Sequence, residues 1–72
     1  MREYLRELRK RKGLSQQNVA DSIGTVQQYY SAIELGERQA NMSLSIMDKL
    51  AKVFDVSLEY IIEKEREVRG NG

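Results

Sequence analysis

Apolar residues recur along the chain at intervals of three and four positions, the spacing of one face of an α-helix. Leu5 and Leu8 carry this pattern near the start, with Tyr4 beside them, and Gly13 interrupts it. A glycine in this place typically adopts the left-handed conformation that ends a helix. The pattern therefore predicts a first helix over about residues 2–12.

Two short helices separated by a glycine are predicted next. Ser15 is a good N-cap because its hydroxyl can satisfy an amide of the first turn, and Gly24 ends the segment, so a second helix is expected at about 16–23. A third helix is expected at about 26–34, with Gly36 as its stop. The apolar positions of the two helices are Val19, Ala20, Ile23, Tyr29, Tyr30 and Ile33.

The second half of the chain predicts two more helices. Asn41 or Ser43 caps the fourth and Ser57 caps the fifth, which extends as a charged segment toward Val68. Their apolar faces carry Leu44, Met47, Leu50, Ala51 and Phe54 in the fourth, and Leu58, Ile61 and Ile62 in the fifth. The chain contains no proline and no alternating β pattern. We expect a compact all-α domain of five helices over residues 1–66, followed by a frayed tail over 67–72.

Composition narrows the possible functions. The 72 residues include no cysteine and no histidine, so disulfide bonds, zinc sites and histidine-based catalysis are excluded. The acidic residues lie mostly on exposed helix faces, and no spacing brings two of them into a cleft. We therefore expect a protein that is not an enzyme and has no metal or other cofactor. No apolar run approaches a membrane span, and no signal peptide is recognised, so a cytoplasmic location is expected.

Charge is distributed unevenly. Residues 1–12 contain six basic and two acidic side chains, a local charge of +4, whereas the whole chain carries only +1. The acids concentrate near the other end, at Glu59, Glu63, Glu65 and Glu67. A field of this kind can attract polyanions, although a solvated helix face explains the same composition. Charge alone therefore permits nucleic-acid binding without establishing it.

The most informative segment runs from Gln16 to Gly36 and has the order helix, tight glycine turn, helix. The small side chain of Ala20 lets the two helices approach closely, and Gly24 supplies the positive φ that a three- to four-residue turn requires. In such a helix-turn-helix, formed here by helices two and three, the outer face of the second helix is free to enter a DNA major groove.

The run Leu14-Ser15-Gln16-Gln17-Asn18-Val19-Ala20-Asp21-Ser22-Ile23-Gly24, followed by Ile33-Glu34-Leu35-Gly36, resembles the Cro/repressor-type helix-turn-helix family of bacterial and phage regulators. The likeness extends from Leu5 to about Ile62 and implies that the all-α, five-helix domain is a repressor-like DNA-binding domain. It includes the leading Arg9 and the closing segment Phe54-Asp55-Val56-Ser57-Leu58.

The resemblance implies roles for individual residues. Positions that read bases correspond to Gln27, Gln28, Ser31 and Ala32. Positions that contact phosphates correspond to Gln16, Tyr29, Arg38, Gln39 and Asn41, with an ordinary surface tyrosine as the alternative for Tyr29 and an ordinary loop arginine for Arg38. Arg9 and Glu34 match an ion pair that braces the first helix against the recognition helix. Tyr30 is interpreted as a core residue.

The chemistry of glutamine agrees with base reading. Its amide presents a donor and an acceptor together, which match N6 and N7 of adenine in the major groove.

Three features depart from the family pattern. The first is that Val26 replaces the usual Ser or Thr cap, although Thr25 can cap one residue earlier. No Lys or Arg lies between residues 13 and 37, and Ala40-Asn41 replaces a frequent proline. Fewer phosphate contacts predict modest affinity and a shallow salt dependence.

The partner expected from this pattern is double-stranded DNA, in an A/T-containing palindromic operator bound to repress transcription. A homodimer through the helix-five region is expected, using Tyr60, Ile61, Ile62 and Val68, because such domains gain affinity on half-sites roughly 34 Å apart. The alternative is a protein-binding helical module, antitoxin-like or an anti-repressor partner, which uses the same fold. The lack of positive charge on the recognition helix and the acidic fifth helix favour that alternative.

Overall fold

The computed structural model describes residues 1–37 and 42–70, with side chains described up to residue 68. Every regular element within these residues is an α-helix. The five helices are α1 (Glu3–Arg11), α2 (Gln16–Ile23), α3 (Gln27–Leu35), α4 (Leu44–Phe54) and α5 (Leu58–Gly70). The predicted all-α class and the five-helix order are confirmed. None of these helices is long and apolar enough to cross a membrane.

Short polar residues set the beginnings of three helices. Ser15 forms a capping box with Asn18, in which each side chain bonds the other residue's backbone N–H at 3.0 Å. Ser43 Oγ accepts from the Ile46 amide at the start of α4, and Ser57 Oγ accepts from the Tyr60 amide at the start of α5. Of the two caps predicted for α4, Ser43 performs this role, and Asn41 lies outside the described residues.

The start of α3 differs from that of its neighbours. Val26 occupies the N-cap position in an extended conformation and offers no side-chain hydrogen bond, so α3 begins at Gln27. The Val26 side chain is 62% exposed. Thr25 does not cap the helix. The first turn of α3 therefore receives no hydrogen bond from a capping side chain.

The core lies where the five helices meet, because α2 contacts α3 and α4, α4 contacts α5, and α1 contacts α3. Its buried apolar residues are Tyr4, Leu5, Leu8, Val19, Ala20, Ile23, Tyr30, Ile33, Met42, Leu50, Ala51, Phe54 and Ile61. Leu44, expected on the apolar face of the fourth helix, is exposed at the first position of α4. Tyr30 is fully buried, as predicted.

Helix α5 differs from its prediction in two respects. It continues to Gly70, so residues 67–70, expected in a frayed tail, are helical. Val68 packs against the core, and an ion pair joins Lys64 to Glu67, which explains the continuation. Ile61, expected in a dimer interface, has no exposed surface and belongs to the core, because its side chain faces the rest of the domain. That assignment of Ile61 was wrong.

Candidate nucleic-acid interface

The helix-turn-helix is built by α2, a left-handed glycine and α3. Gly24 has φ +78° and ends α2, and the Thr25 amide donates to the Ala20 carbonyl at 2.9 Å. The Gly24 amide also donates to the Asp21 carbonyl at 3.3 Å. A glycine in the left-handed conformation favours this pair of hydrogen bonds at the end of a helix. Ala20 and Ile33 are fully buried between the elements. The buried faces thus fix α3 against α2, and the other side of α3 remains at the surface.

A buried ion pair braces α1 against α3. Arg9 Nε lies 2.7 Å from Glu34 Oε2, and Arg9 Nη2 lies 3.3 Å from Glu34 Oε1. A third contact, from Arg9 Nη1 to the Leu14 carbonyl at 3.1 Å, fixes the loop before α2. Glu34 is only 2% exposed. A two-pronged guanidinium–carboxylate contact of this kind holds direction as well as distance.

Two glutamines continue this network toward the exposed start of α3. Gln16 Nε2 donates to Glu34 Oε1 at 3.2 Å, and Gln16 Oε1 accepts from Gln27 Nε2 at 2.8 Å. Gln16, expected at a phosphate, therefore also connects the buried Glu34 to Gln27, one of the two predicted base readers. The side chain of Gln27 is oriented by this chain of contacts before any ligand binds.

Burial and pairing act in opposite directions on the pKa of Glu34. Burial raises it, but the hydrogen bond from Arg9 and those of neighbouring donors lower it, and the net pKa lies below the ordinary value of 4.5. The same hydrogen bond raises the pKa of Arg9. Both groups are therefore charged at neutral pH.

We expect the lowered pKa of Glu34 to make stability depend on acid. The unfolded carboxylate takes up a proton at a higher pH than the folded one, so its contribution is complete above the ordinary carboxyl pKa and is lost as the pH falls through the folded pKa. Thermal melts of the wild type and of Glu34→Gln between pH 7 and pH 3 measure this. The gap between the two melting temperatures should narrow with acid, and a constant gap would contradict the assignment.

The predicted base readers differ in exposure. Gln28 is exposed at the surface of α3, whereas Gln27, Ser31 and Ala32 are half-buried. Ala32 packs in part against the core, which limits the surface that it presents to a groove. Tyr29, expected either at a phosphate or as an ordinary surface tyrosine, is also half-buried against the core. Gln28 is thus the most accessible of the four predicted base readers.

Tyr30 lies next to the ion pair. Its hydroxyl is buried and has no partner of good hydrogen-bond geometry among the described residues. The Glu34 carboxylate nevertheless lies close enough to change the pKa of this hydroxyl. Burial, and then Glu34, raises the pKa of Tyr30 far above its ordinary value. The phenol therefore stays neutral and adds no charge to this region.

Positive charge near the helix-turn-helix comes from α1. Lys10, Arg11 and Lys12 are exposed at the end of that helix, where cations also favour the helix dipole. Three predicted phosphate contacts, Arg38, Gln39 and Asn41, lie outside the described residues. Among residues 1–37 and 42–68, no group of three or more acidic side chains is placed to hold a metal ion.

Sequence reasoning missed a second buried charge cluster. Arg2 Nε lies 3.0 Å from Glu65 Oε2, and the Tyr4 hydroxyl donates to the same oxygen at 2.5 Å. These partners are more than sixty residues apart in the chain, beyond any local pattern. One signal was present: Glu65 occupies a position of the apolar stripe that contains Ile61 and Val68. A carboxylate at a buried helical position requires a charged or hydrogen-bonding partner.

Comparison with known proteins agrees with this geometry. The chain belongs to the helix-turn-helix family, whose model matches residues 5–61. It is similar to the uncharacterized HTH-type transcriptional regulator YqaE of Bacillus subtilis, with 40% identity over 63 residues, or 88% of this chain. It also resembles the HTH-type transcriptional regulator SinR of the same species, with 31% identity over 70 residues, or 97% of this chain. The resemblance found in the sequence is thereby confirmed.

The relatives differ in length. The chain spans 53% of YqaE and 62% of SinR, but 98% of the uncharacterized HTH-type transcriptional regulator YgzD of Bacillus subtilis, at 31% identity. No solved structure matches the chain significantly. These relatives are named as transcriptional regulators and not as enzymes.

Proposed function

We propose that this chain binds double-stranded DNA in a sequence-specific manner and regulates transcription, as a repressor, with α3 in the major groove. The observation that carries the proposal is the position of Gln27 and Gln28 at the surface end of a helix that a buried network holds in place. Gln27 is held at 2.8 Å by Gln16, and Gln28 is exposed beside it. Two adjacent glutamines at the start of this helix are suited to adenine.

Phosphate anchoring is assigned mainly to groups outside α3, because no Lys or Arg lies between residues 13 and 37. The exposed basic end of α1, with Lys10, Arg11 and Lys12, is the cationic surface nearest in sequence to the helix-turn-helix. Gln16 and Tyr29 supply neutral contacts, and Arg38, Gln39 and Asn41 belong to the segment outside the described residues. We propose that the chain binds this DNA in the cytoplasm.

Replacing Gln28 with alanine should reduce discrimination at one base pair by about 1–3 kcal/mol, because a good bidentate base contact has that value. The measurement begins with selection of bound sites from random DNA by the wild type. Fluorescence anisotropy then compares the selected site with single-base variants, using the wild type and Gln28→Ala. Gln17→Ala is the matched control, since Gln17 is an exposed glutamine on α2 that bonds Asp21 within its own helix.

Two results would count against the proposal. Wild-type protein that shows no salt-sensitive binding to any selected DNA at micromolar concentration would reject DNA binding and favour the protein-binding module. Equal sequence preference in the wild type, in Gln28→Ala and in the double variant Gln27→Ala/Gln28→Ala would reject base reading by these two glutamines.

We also propose that the chain acts as a homodimer on a palindromic, A/T-containing operator. The surface that supports this lies along α5, where Tyr60 is exposed and Ile62 and Val68 are half-buried. Ile62 and Met47 line a shallow groove of about 200 Å³ between α4 and α5. Ile61 takes no part, because it is buried in the core. Sedimentation with and without operator DNA measures the oligomeric state.

A further inference from the structure

The Arg2 side chain joins three elements in one buried cluster. Its Nε lies 3.1 and 3.0 Å from the two carboxylate oxygens of Glu65 on α5. Its Nη1 donates to the Ile33 carbonyl at 2.6 Å, within the last turn of α3. The Arg2 and Glu65 side chains are only 12% and 9% exposed. A pair with so little access to solvent has a defined geometry, unlike an exposed ion pair.

The backbone at the start of the chain reinforces this contact. The Arg2 amide donates to the Glu34 carbonyl at 2.7 Å. The last carbonyls of a helix have no partner within it, and a cation at that end also favours the helix dipole. Arg2 thus satisfies two consecutive carbonyls of α3 with its side chain and its main chain.

The recognition helix is consequently held from two sides. Arg9 and Gln16 fix it from α1 and α2 through the carboxylate of Glu34. Arg2 fixes its last turn and is itself held by Glu65, which Tyr4 also bonds at 2.5 Å. Only the second attachment reaches α5.

We propose that Arg2 is a positioning residue for the recognition helix and that Glu65 sets the place of Arg2, so that α5 and α3 are coupled. This rests on the proposed DNA binding by α3. The carboxylate of Glu65 orients the guanidinium, the guanidinium holds the Ile33 carbonyl, and α3 keeps the angle at which its first turn meets a groove. An event that displaces Glu65, such as a partner on α5, then changes DNA affinity.

The first test compares DNA affinity in variants of matched charge. Glu65→Gln should weaken binding to the selected site by about tenfold, the effect of one lost charge-assisted hydrogen bond. Glu63→Gln removes the same charge from an exposed pair with Arg66 on the same helix and should not weaken binding. Arg2→Lys keeps the positive charge but cannot make both contacts with one planar fork, so it should resemble Glu65→Gln.

The second test separates positioning from phosphate contact and from stability. If Arg2 only positions α3, the slope of log Kd against log salt is unchanged in Arg2→Lys and in Arg2→Met, whereas a lost phosphate contact would lower it by about 0.9. The triple variant Arg2→Met/Tyr4→Phe/Glu65→Leu replaces the buried polar cluster by apolar groups and should keep its melting temperature. Its affinity for DNA should nevertheless stay about tenfold weaker.

Amide hydrogen exchange needs no DNA, so it distinguishes a failure of the proposed coupling from a failure of DNA binding. The Gly36 and Glu37 amides, which bond the Ile33 and Ala32 carbonyls, should exchange with solvent faster in Glu65→Gln than in Glu63→Gln. Unchanged exchange and unchanged affinity in Glu65→Gln and Arg2→Lys would overturn the inference while leaving DNA binding intact. Recovery of full affinity in the triple variant would overturn it as well. Failure of the wild type to bind DNA would instead reject the proposed function, and the coupling to DNA with it.

Discussion

Replacing Glu34 with alanine should lower the free energy of unfolding by about 3–5 kcal/mol, because the Arg9 side chain, which is only 14% exposed, loses its carboxylate partner. A domain of 72 residues has a total stability of roughly 4–11 kcal/mol at the usual values per residue, so this single change removes a large part of it. Gln16 loses a partner too, since it donates to Glu34 at 3.2 Å. Urea denaturation followed by circular dichroism measures the difference.

The exposed pair Glu3–Arg6 provides the control for this prediction. It spans i and i+3 on α1, and its side chains are about half exposed. Glu3→Ala should therefore change the free energy of unfolding by less than about 1 kcal/mol. The double variant Arg9→Met/Glu34→Leu should be more stable than Glu34→Ala, because it leaves no charge buried alone. Equal losses in Glu3→Ala and Glu34→Ala would mean that the buried pair does not brace α3.

Replacing Ile61 with alanine should destabilise the domain by about 2–5 kcal/mol, the usual range for such a truncation in a core. Ile61 has no exposed surface, and it lies among the residues where α5 packs on the remaining helices. Ile62 is only half-buried, so Ile62→Ala should have a much smaller effect. Thermal melts of the two variants measured side by side compare neighbouring residues of identical chemistry.

Oligomeric state adds the second half of that comparison. Sedimentation should show that Ile62→Ala weakens any self-association through α5. Ile61→Ala, measured at a temperature where it remains folded, should not weaken it. A stable Ile61→Ala variant that has lost self-association would return Ile61 to a dimer interface and contradict its placement in the core.

Much of this fold was predictable because its information is local. Ser15, Gly24 and Ser57 end or begin helices by bonding residues within a few positions, and the apolar spacing identifies each helix. The adjacent pair Ile61 and Ile62 shows where this information stops. Both fit an apolar stripe, and only the packing of α5 against α4 decides which of them faces inward. Leu44 is exposed for the same reason: the apolar spacing of α4 does not determine how that helix packs.

The candidate site divides in a similar way. Arg9 and Glu34 were paired through resemblance to a family, and the structure brings them to 2.7 Å. No such pattern connects Arg2 with Glu65, because their contact depends on the path of the whole chain. The side-chain relay from Glu34 through Gln16 to Gln27 was also invisible in the sequence. Each of these residues had been given a separate role, whereas the structure joins them.

The stretch without Lys or Arg from residue 13 to residue 37 has a consequence for how the protein is distributed among competing sites. Binding to arbitrary DNA depends almost entirely on neutralised phosphates, and typical non-specific Kd values are about 10⁻⁴–10⁻⁶ M. If the chain binds DNA as proposed, we expect the lack of cations on its recognition helix to place it toward the weak end of that range. Fewer molecules would then be retained along the genome, and a larger share would stay free in solution. Occupancy of the operator should consequently follow the concentration of the protein closely, so that small changes in its synthesis or degradation alter transcription.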